Sequence, residues 1–189
     1  HIGNTVVVMG KWSAEDMLRF TERYGVTNTQ MVPTMFHRLL ALPDQVRGRA
    51  DVSTIRSVLH SAAPCPIEVK RRMIEWWGPI LFEYYGGTEG GASMVDSHEW
   101  LEKPGTVGKP WPGTTITILD DDGNECPTGE PGTIYLQTPF GAPEYHNDPE
   151  KTASVRHGDA FTLGDVGYLD ADGWLFLCDR KIDMIISGG

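Results

Sequence analysis

Residues 84–91, Tyr-Tyr-Gly-Gly-Thr-Glu-Gly-Gly, combine residue types that suit chemistry on a phosphate group. Glycines allow a backbone to approach a phosphate closely, and the Thr88 hydroxyl can donate to a phosphate oxygen. Glu89 offers hard oxygen ligands suited to a Mg²⁺ ion that bridges phosphates, and the Tyr85 ring can face a purine base. Taken alone, the stretch fits equally well an ordinary glycine turn with a solvent-exposed glutamate.

Two later segments, residues 164–168 and 179–183, carry charges that suit a ribose. The Asp165 carboxylate can accept hydrogen bonds from both hydroxyls of a ribose, as the acidic residue of dinucleotide sites does. Arg180 follows fifteen positions later, and a hairpin between the two would return it to the same place. A turn aspartate and a surface charge cluster are the alternatives when each segment stands alone.

The net charge of −10 argues against a role in binding nucleic acid, which needs basic residues concentrated on one face. The acids outnumber the bases chiefly in residues 101–189, where 15 acids stand against 6 bases. An ATP site is compatible with this acidity because Mg²⁺ carries part of the phosphate charge. No apolar run is long enough to cross a membrane, so no transmembrane segment is expected.

The three cysteines form no C-x-x-C pair and have no histidine at the spacing of a metal site. We therefore expect free thiols in a reducing cytoplasm.

The elements that must position these residues differ between the two halves of the chain. In the first half, strand patterns rich in β-branched residues alternate with helical patterns, which predicts a parallel sheet with crossover helices. The predicted helices begin at Ser13, Pro33 and Pro66, and residues 43–51 read as a loop. The predicted strands cover residues 5–9, 27–32, 55–60 and 80–84.

The second half reads as a small antiparallel, barrel-like β unit. Alternating patterns predict strands over residues 114–119, 132–138, 166–169 and 174–178, with Asp-Gly turns between some of them. We therefore predict a partial α/β subdomain over residues 1–100, a β subdomain over 101–178 and a hinge over 179–189.

The order of the motifs resembles that of the adenylate-forming superfamily, which includes acyl-CoA synthetases, adenylation domains and luciferases. Four of its motifs have counterparts in this sequence: Y-G-x-T-E at 85–89, G-x-x-G-x-P at 105–110, T-G-D…Y-x-D-x-D-G at 162–173, and D-R-x-K-D-x-I-x-x-G-G at 179–189. Ile182 stands where the family usually has a polar pivot residue, so the pivot of the hinge is left unassigned. Leu163 also departs from the usual small or polar residue beside Gly-Asp, which leaves Asp165 unaffected. The resemblance covers nearly the whole chain.

The resemblance implies a nucleotide site and an acyl pocket. Thr88 would contact the α-phosphate, Glu89 would hold Mg²⁺, and these two residues would be the catalytic ones. The residues implied at the nucleotide are Ser61, Ala62, Ala63, Pro64, Tyr84, Tyr85, Gly86, Thr88, Asp165 and Arg180. The residues implied at the acyl pocket are Gly86, Gly87, Val32 and Phe36.

The reaction implied is activation of a carboxylic acid with ATP, followed by transfer of the acyl group to coenzyme A. A fatty acid fits the resemblance, and an aromatic acid is the alternative. The short segment between Glu89 and Gly105 favours coenzyme A over a carrier protein as the acceptor. From another class, the chain could be a non-catalytic nucleotide-binding module.

The family's phosphate loop and its catalytic lysine find no counterpart in these 189 residues. We expect them in N- and C-terminal segments beyond this chain. Loss of such groups costs orders of magnitude in rate, so we expect these residues alone to be inactive as a ligase.

Overall fold

Residues 3–180 are described by a computed structural model of this chain, and they divide between two units, residues 3–82 and 83–180. The domain boundaries predicted from the sequence stay predictions. Residues 181–189 of the predicted hinge, with Ile182, lie outside the described residues.

The first unit alternates helices with parallel strands. β1 pairs in parallel with β2, in a register that runs from Asn28 opposite Ser57 to Met31 opposite His60. β3 begins at the end of this unit, where the Val58 amide donates to the Ile80 carbonyl at 2.9 Å. The elements in order are α1 Ala14–Tyr24, β1 Asn28–Met31, α2 Pro33–Leu40, α3 Asp44–Arg47, β2 Ser57–His60, α4 Ile67–Trp77 and β3 Leu81–Gly87.

Helix α1 begins and ends where the sequence predicts. The Ser13 hydroxyl accepts from the Asp16 amide at 3.1 Å, and such a cap contributes about 1 kcal/mol to helix stability. Gly25 ends the helix in the left-handed conformation, with φ of 58°, which glycine adopts without steric cost.

The core of the first unit lies on the strands and on the inward faces of α2 and α4. Phe36 is fully buried, and its ring meets the buried His60 ring edge-on at a centroid distance of 5.2 Å. Burial lowers the pKa of His60 well below its ordinary range, and the charge of Lys70 acts in the same direction. Other fully buried members are Met31, Leu39, Val58 and Met73.

Two predictions for the first unit are wrong. Residues 5–9 form no strand and pair with no strand among residues 3–180, and Val6 and Val8 are 78% and 80% exposed. A β-branched run becomes a strand only where a neighbouring strand supplies ladder hydrogen bonds. The predicted loop at 43–51 contains α3, which Arg47 and Asp44 reinforce by an ion pair one turn apart.

The second unit is an antiparallel sheet in which β4, β5, β10, β9, β7 and β6 are neighbours in that order. Its elements are β4 Gly90–Asp96, α5 Ser97–Glu102, β5 Thr106–Pro110, β6 Thr115–Leu119, β7 Gly132–Gln137, α6 Pro149–Ser154, β8 Arg156–His157, β9 Ala160–Leu169 and β10 Leu175–Arg180. The predicted fold class is confirmed. The sheet ends at β6 and stays open, because among residues 3–180 no ladder joins β6 to the far edge.

Alternation along the strands builds the core of this unit. Ile116 and Ile118 of β6 point inward with Ile134 and Leu136 of β7, while the residues between them are more exposed. This pattern is typical of a sheet with one face buried. Tyr85, Val107, Phe161 and Leu175 belong to the same buried cluster.

The sequence analysis missed β4, α5 and β5. Helix α5 carries a sequence signal, since Asp96 accepts from the Glu99 amide at 2.9 Å and Glu99 accepts from the Asp96 amide at 3.2 Å. This reciprocal pair is a capping box. Strand β5 coincides with the G-x-x-G-x-P motif, which therefore has a structural role. Among residues 3–180 no helix combines the length and apolar character that a membrane span requires.

Gly108 allows β5 to pass close to β4. A β-carbon at this position would overlap the Met94 carbonyl, and the backbone has a φ of +106°. We expect Gly108→Ala to lower the free energy of unfolding by at least about 2 kcal/mol. Gly129→Ala is the matched control, because Gly129 has φ of +85° but open space around it, and it should lose about 1 kcal/mol. Equal losses in urea unfolding would contradict the steric explanation.

Candidate active site

Strands β3 and β4 form a hairpin whose two-residue turn is Thr88-Glu89. A β-carbon on Gly86 would lie 2.7 Å from the Gly90 carbonyl oxygen and from the Gly91 α-carbon. Real β-carbons do not approach backbone atoms this closely, so the hairpin itself requires glycine at position 86. The structure thus explains Gly86 without an acyl substrate, and its implied role at the acyl pocket stays a prediction.

The turn places the implied catalytic residues at the end of the hairpin. Thr88 is exposed and Glu89 is half-buried, while Tyr84, four residues earlier in β3, is half-buried as well. A β-carbon on Gly87 would lie 2.7 Å from Glu89 Oε2 and 3.3 Å from the Leu163 side chain. Leu163, which departs from the family pattern, therefore lies beside the glutamate turn.

Glu89 has a partner that the sequence analysis missed. The Tyr145 hydroxyl donates to Glu89 Oε1 at 2.9 Å, across 56 residues of sequence. The hydrogen bond to Glu89, then burial and the negative charge of Glu89, raise the pKa of Tyr145. No local pattern around Tyr145 marks it, since it lies in a loop before a six-residue helix.

Asp165 and Tyr85, both implied at the nucleotide, form a direct hydrogen bond. The Tyr85 hydroxyl donates to Asp165 Oδ2 at 2.8 Å, and both residues are only 7% exposed. Arg180 lies opposite Asp165 in the β9–β10 ladder. The backbone thus returns position 180 to Asp165, as the hairpin prediction requires. Their contacts with a nucleotide stay predictions.

The implied residues of the first unit lie on a loop and a helix. Ala62, in the loop after β2, has φ of 75°, a left-handed conformation that costs a non-glycine residue about 1–2 kcal/mol. Backbone strain of this kind is often retained at functional sites. Val32 is the half-buried N-cap of α2, and Phe36 is a core residue. The roles of Ser61, Ala62, Ala63, Pro64, Val32 and Phe36 stay predictions.

The aspartates of the Y-x-D-x-D-G stretch stabilise the turn between β9 and β10. Asp170 Oδ1 accepts from the amides of Asp172 and Trp174, each at 2.9 Å. Lys103, just after α5, donates to Asp170 Oδ2 at 2.8 Å and to Asp172 Oδ2 at 2.7 Å. The Asp170 and Asp172 carboxylates thus join the β9–β10 turn to the end of α5. The motif has a structural role at these two positions.

The donor set at the turn fits Mg²⁺ held largely by phosphate oxygens. Within residues 3–180 no group of three or more histidine, cysteine or carboxylate side chains could hold a metal ion. Mg²⁺ in phosphoryl-transfer sites commonly takes one or two carboxylates, with substrate phosphates and waters as its other ligands. The Glu89 carboxylate is a group of this type, and its role as a metal ligand stays a prediction.

The fold is the open α/β sheet that the sequence predicts. Two of the sequence motifs contribute the glutamate at the hairpin turn and the buried Tyr–Asp pair. The sequence model for the AMP-binding enzyme family matches residues 1–146. The chain belongs to this family of AMP-binding enzymes.

The relatives with known names include a ligase and two synthetases. The long-chain-fatty-acid–CoA ligase of Bacillus subtilis is 34% identical over 191 residues, which cover 100% of this chain and 34% of the ligase. Among solved structures, the amide bond synthetase McbA of Marinactinospora thermotolerans has a TM-score of 0.90 at 32% identity, covering 97% of this chain and 37% of that one.

A second solved structure contains a nucleotide and a metal ion. The O-succinylbenzoate coenzyme A synthetase (MenE) of Bacillus subtilis, in complex with ATP and magnesium ion, has a TM-score of 0.80 at 31% identity, covering 98% of this chain and 38% of that one. The present chain thus spans between 34% and 38% of the length of these three proteins.

The Asp170 cluster predicts a dependence of stability on pH. Burial acts to raise the pKa of Asp170, but the hydrogen bonds from Lys103 and from two amides outweigh it and lower the pKa below 3.8. The stabilisation is therefore complete above the unfolded value and is lost as the pH falls through the lower folded value. We expect Asp170→Ala to lower the free energy of unfolding by about 1–3 kcal/mol at pH 7, and by less below a pH of about 3.8. Urea unfolding midpoints measured over a range of pH check this, with Asp159→Asn, at an exposed turn aspartate, as the control. A difference between Asp170→Ala and the wild type that does not change with pH would contradict it.

Removal of the Tyr85 hydroxyl takes one donor from the buried Asp165 carboxylate. We expect Tyr85→Phe to cost about 1–3 kcal/mol of unfolding free energy, because a buried carboxylate then loses a hydrogen bond. Tyr168→Phe is the control, since the Tyr168 ring stacks on Phe176 between the neighbouring strands β9 and β10. Similar losses in both variants would show that the Tyr85–Asp165 bond contributes little.

Proposed function

We propose that the protein carrying this chain activates a carboxylic acid with ATP and transfers the acyl group to coenzyme A. The observation that carries the proposal is how the second unit places the implied nucleotide and metal residues. Tyr85 bonds to Asp165, position 180 lies opposite Asp165, and Glu89 follows Tyr85 at the hairpin turn. Membership of the AMP-binding enzyme family supports the same conclusion.

In the first half-reaction, a carboxylate oxygen of the acid forms a bond to the α-phosphorus of ATP, and the bond from that phosphorus to the bridging oxygen of pyrophosphate breaks. The products are acyl-adenylate and pyrophosphate. Asp165 and Arg180 hold the ribose hydroxyls, and Thr88 donates to the α-phosphate. Glu89 would hold Mg²⁺, which would offset phosphate charge there. This step depends mainly on positioning and electrostatic stabilisation.

In the second half-reaction, the sulfur of coenzyme A attacks the acyl carbonyl carbon. The new C–S bond forms, the bond to the AMP oxygen breaks, and the thiol proton leaves to solvent or to a base. The proposal includes a cytoplasmic location, which Cys126 and Cys178 support as free thiols.

A fatty acid is the substrate class that we propose, supported by the similarity to a long-chain-fatty-acid–CoA ligase. An aromatic acid is the second candidate, favoured by the similarity to a synthetase that acts on O-succinylbenzoate. Transfer to a carrier protein in place of coenzyme A is the alternative second step.

Exchange of pyrophosphate into ATP tests the proposal in the complete polypeptide that carries this chain. We expect exchange that depends on one acid class in a panel of fatty and aromatic acids, and release of AMP when coenzyme A is added. Glu89→Gln should lower the exchange rate at least tenfold, on the order of the loss when an electrostatic group is removed from an active site. Glu102→Gln, an exposed glutamate at the end of α5, should leave the rate unchanged. Undiminished exchange in Glu89→Gln would overturn the role of this carboxylate.

A further inference from the structure

The hydrogen bond between Tyr145 and Glu89 joins two parts of the second unit that are distant in sequence. Tyr145 lies in the loop between β7 and α6, and Glu89 lies at the β3–β4 turn. The loop therefore reaches the one carboxylate that the proposed function assigns to Mg²⁺. Nothing in the family motifs named above includes this tyrosine.

The loop holds Tyr145 by several hydrogen bonds of its own. The Tyr145 amide donates to Thr152 Oγ1 at 2.9 Å, and the Thr152 hydroxyl donates to the Asp148 carbonyl at 2.8 Å. The Asp148 amide donates to the Tyr145 carbonyl at 3.1 Å, and the Asp148 side chain caps helix α6 by accepting from the Lys151 amide at 2.9 Å. Tyr145 is thus fixed at its backbone to the first turn of α6.

The ring of Tyr145 is held as well. The Lys151 ammonium lies 4.0 Å from the ring centroid, within the range of a cation–π contact. A cation over the ring draws electron density from it and strengthens the hydroxyl as a donor. The half-buried ring therefore has a fixed backbone, a cation over its face and a carboxylate at its hydroxyl.

We propose that Tyr145 is a positioning residue, which holds the Glu89 carboxylate in the orientation needed to bind Mg²⁺ with the nucleotide. This inference rests on the proposed function, in which Glu89 is the metal ligand. Glu89 is half-buried at a tight turn, and a glutamate side chain has three rotatable bonds that must be ordered for binding.

A tyrosine hydroxyl suits this task better than a cation. It occupies Oε1 with a neutral donor and leaves the negative charge of the carboxylate in place. An ammonium or guanidinium group at the same distance would offset that charge and compete with the metal. Partners in contact with a metal ligand commonly change metal affinity 10- to 100-fold when they are removed.

The simpler explanation is that Tyr145 only packs the loop. Tyr145→Phe distinguishes the two, because it keeps the ring, the contact with Lys151 and the backbone hydrogen bonds, and removes only the donor to Glu89. Tyr135→Phe is the matched control, because the Tyr135 ring packs against His157 in the same unit at a centroid distance of 5.6 Å.

The experiment measures Mn²⁺ binding at saturating ATP by electron paramagnetic resonance, in the complete polypeptide, for the wild type, Tyr145→Phe, Glu89→Gln and the double variant. We expect Tyr145→Phe to weaken Mn²⁺ binding about tenfold, and to have no further effect in the Glu89→Gln background. In pyrophosphate exchange, the Mg²⁺ concentration for half-maximal rate should rise while the KM for the acid stays unchanged.

Unchanged Mn²⁺ affinity in Tyr145→Phe would overturn the inference and leave the proposed function standing. An equal loss in the Glu89→Gln background would also overturn it, because Tyr145 would then act independently of Glu89. If the wild type neither binds Mn²⁺ with ATP nor exchanges pyrophosphate, the proposed function fails, and the inference fails with it.

Discussion

The second unit depends on a buried hydrogen bond between the Tyr85 hydroxyl and the Asp165 carboxylate. A carboxylate that is only 7% exposed is costly unless hydrogen-bond donors satisfy it. The bond meets that requirement and ties β3 to β9, two strands whose bonded residues are 80 positions apart in sequence. The glutamate turn, which carries Thr88, and the β9–β10 ladder, which carries Arg180, extend from these same two strands.

Close packing of backbones explains two of the motif glycines of this unit. Gly86 lies against β4, and Gly108 lies against the Met94 carbonyl, so that neither position has room for a β-carbon. Thr106, in the same motif as Gly108, is buried and donates to the Leu175 carbonyl at 2.7 Å. These motif residues therefore stabilise the packing and pairing of the strands. The candidate site is built on the sheet that these strands form.

Polar contacts from outside the principal motif surround the glutamate turn and the β9–β10 turn. Tyr145 reaches Glu89 from the loop before α6, and Lys103 reaches Asp170 and Asp172 from the end of α5. Each contact joins a motif segment to a segment that belongs to none of the motifs. The positions of the motif side chains therefore depend also on residues outside the motifs.

The sequence by itself determined the class of fold, the caps of α1, most strands, and the motifs that place the chain among AMP-binding enzymes. These features depend on local periodicity and on residue types at fixed spacing, which the linear order retains. It did not reveal that residues 5–9 lack a partner strand, that Gly86 serves the hairpin, or that Tyr145 meets Glu89. Strand pairing, close backbone approach and hydrogen bonds across 56 or 80 residues depend on which segments the fold brings together, so only the tertiary structure decided them.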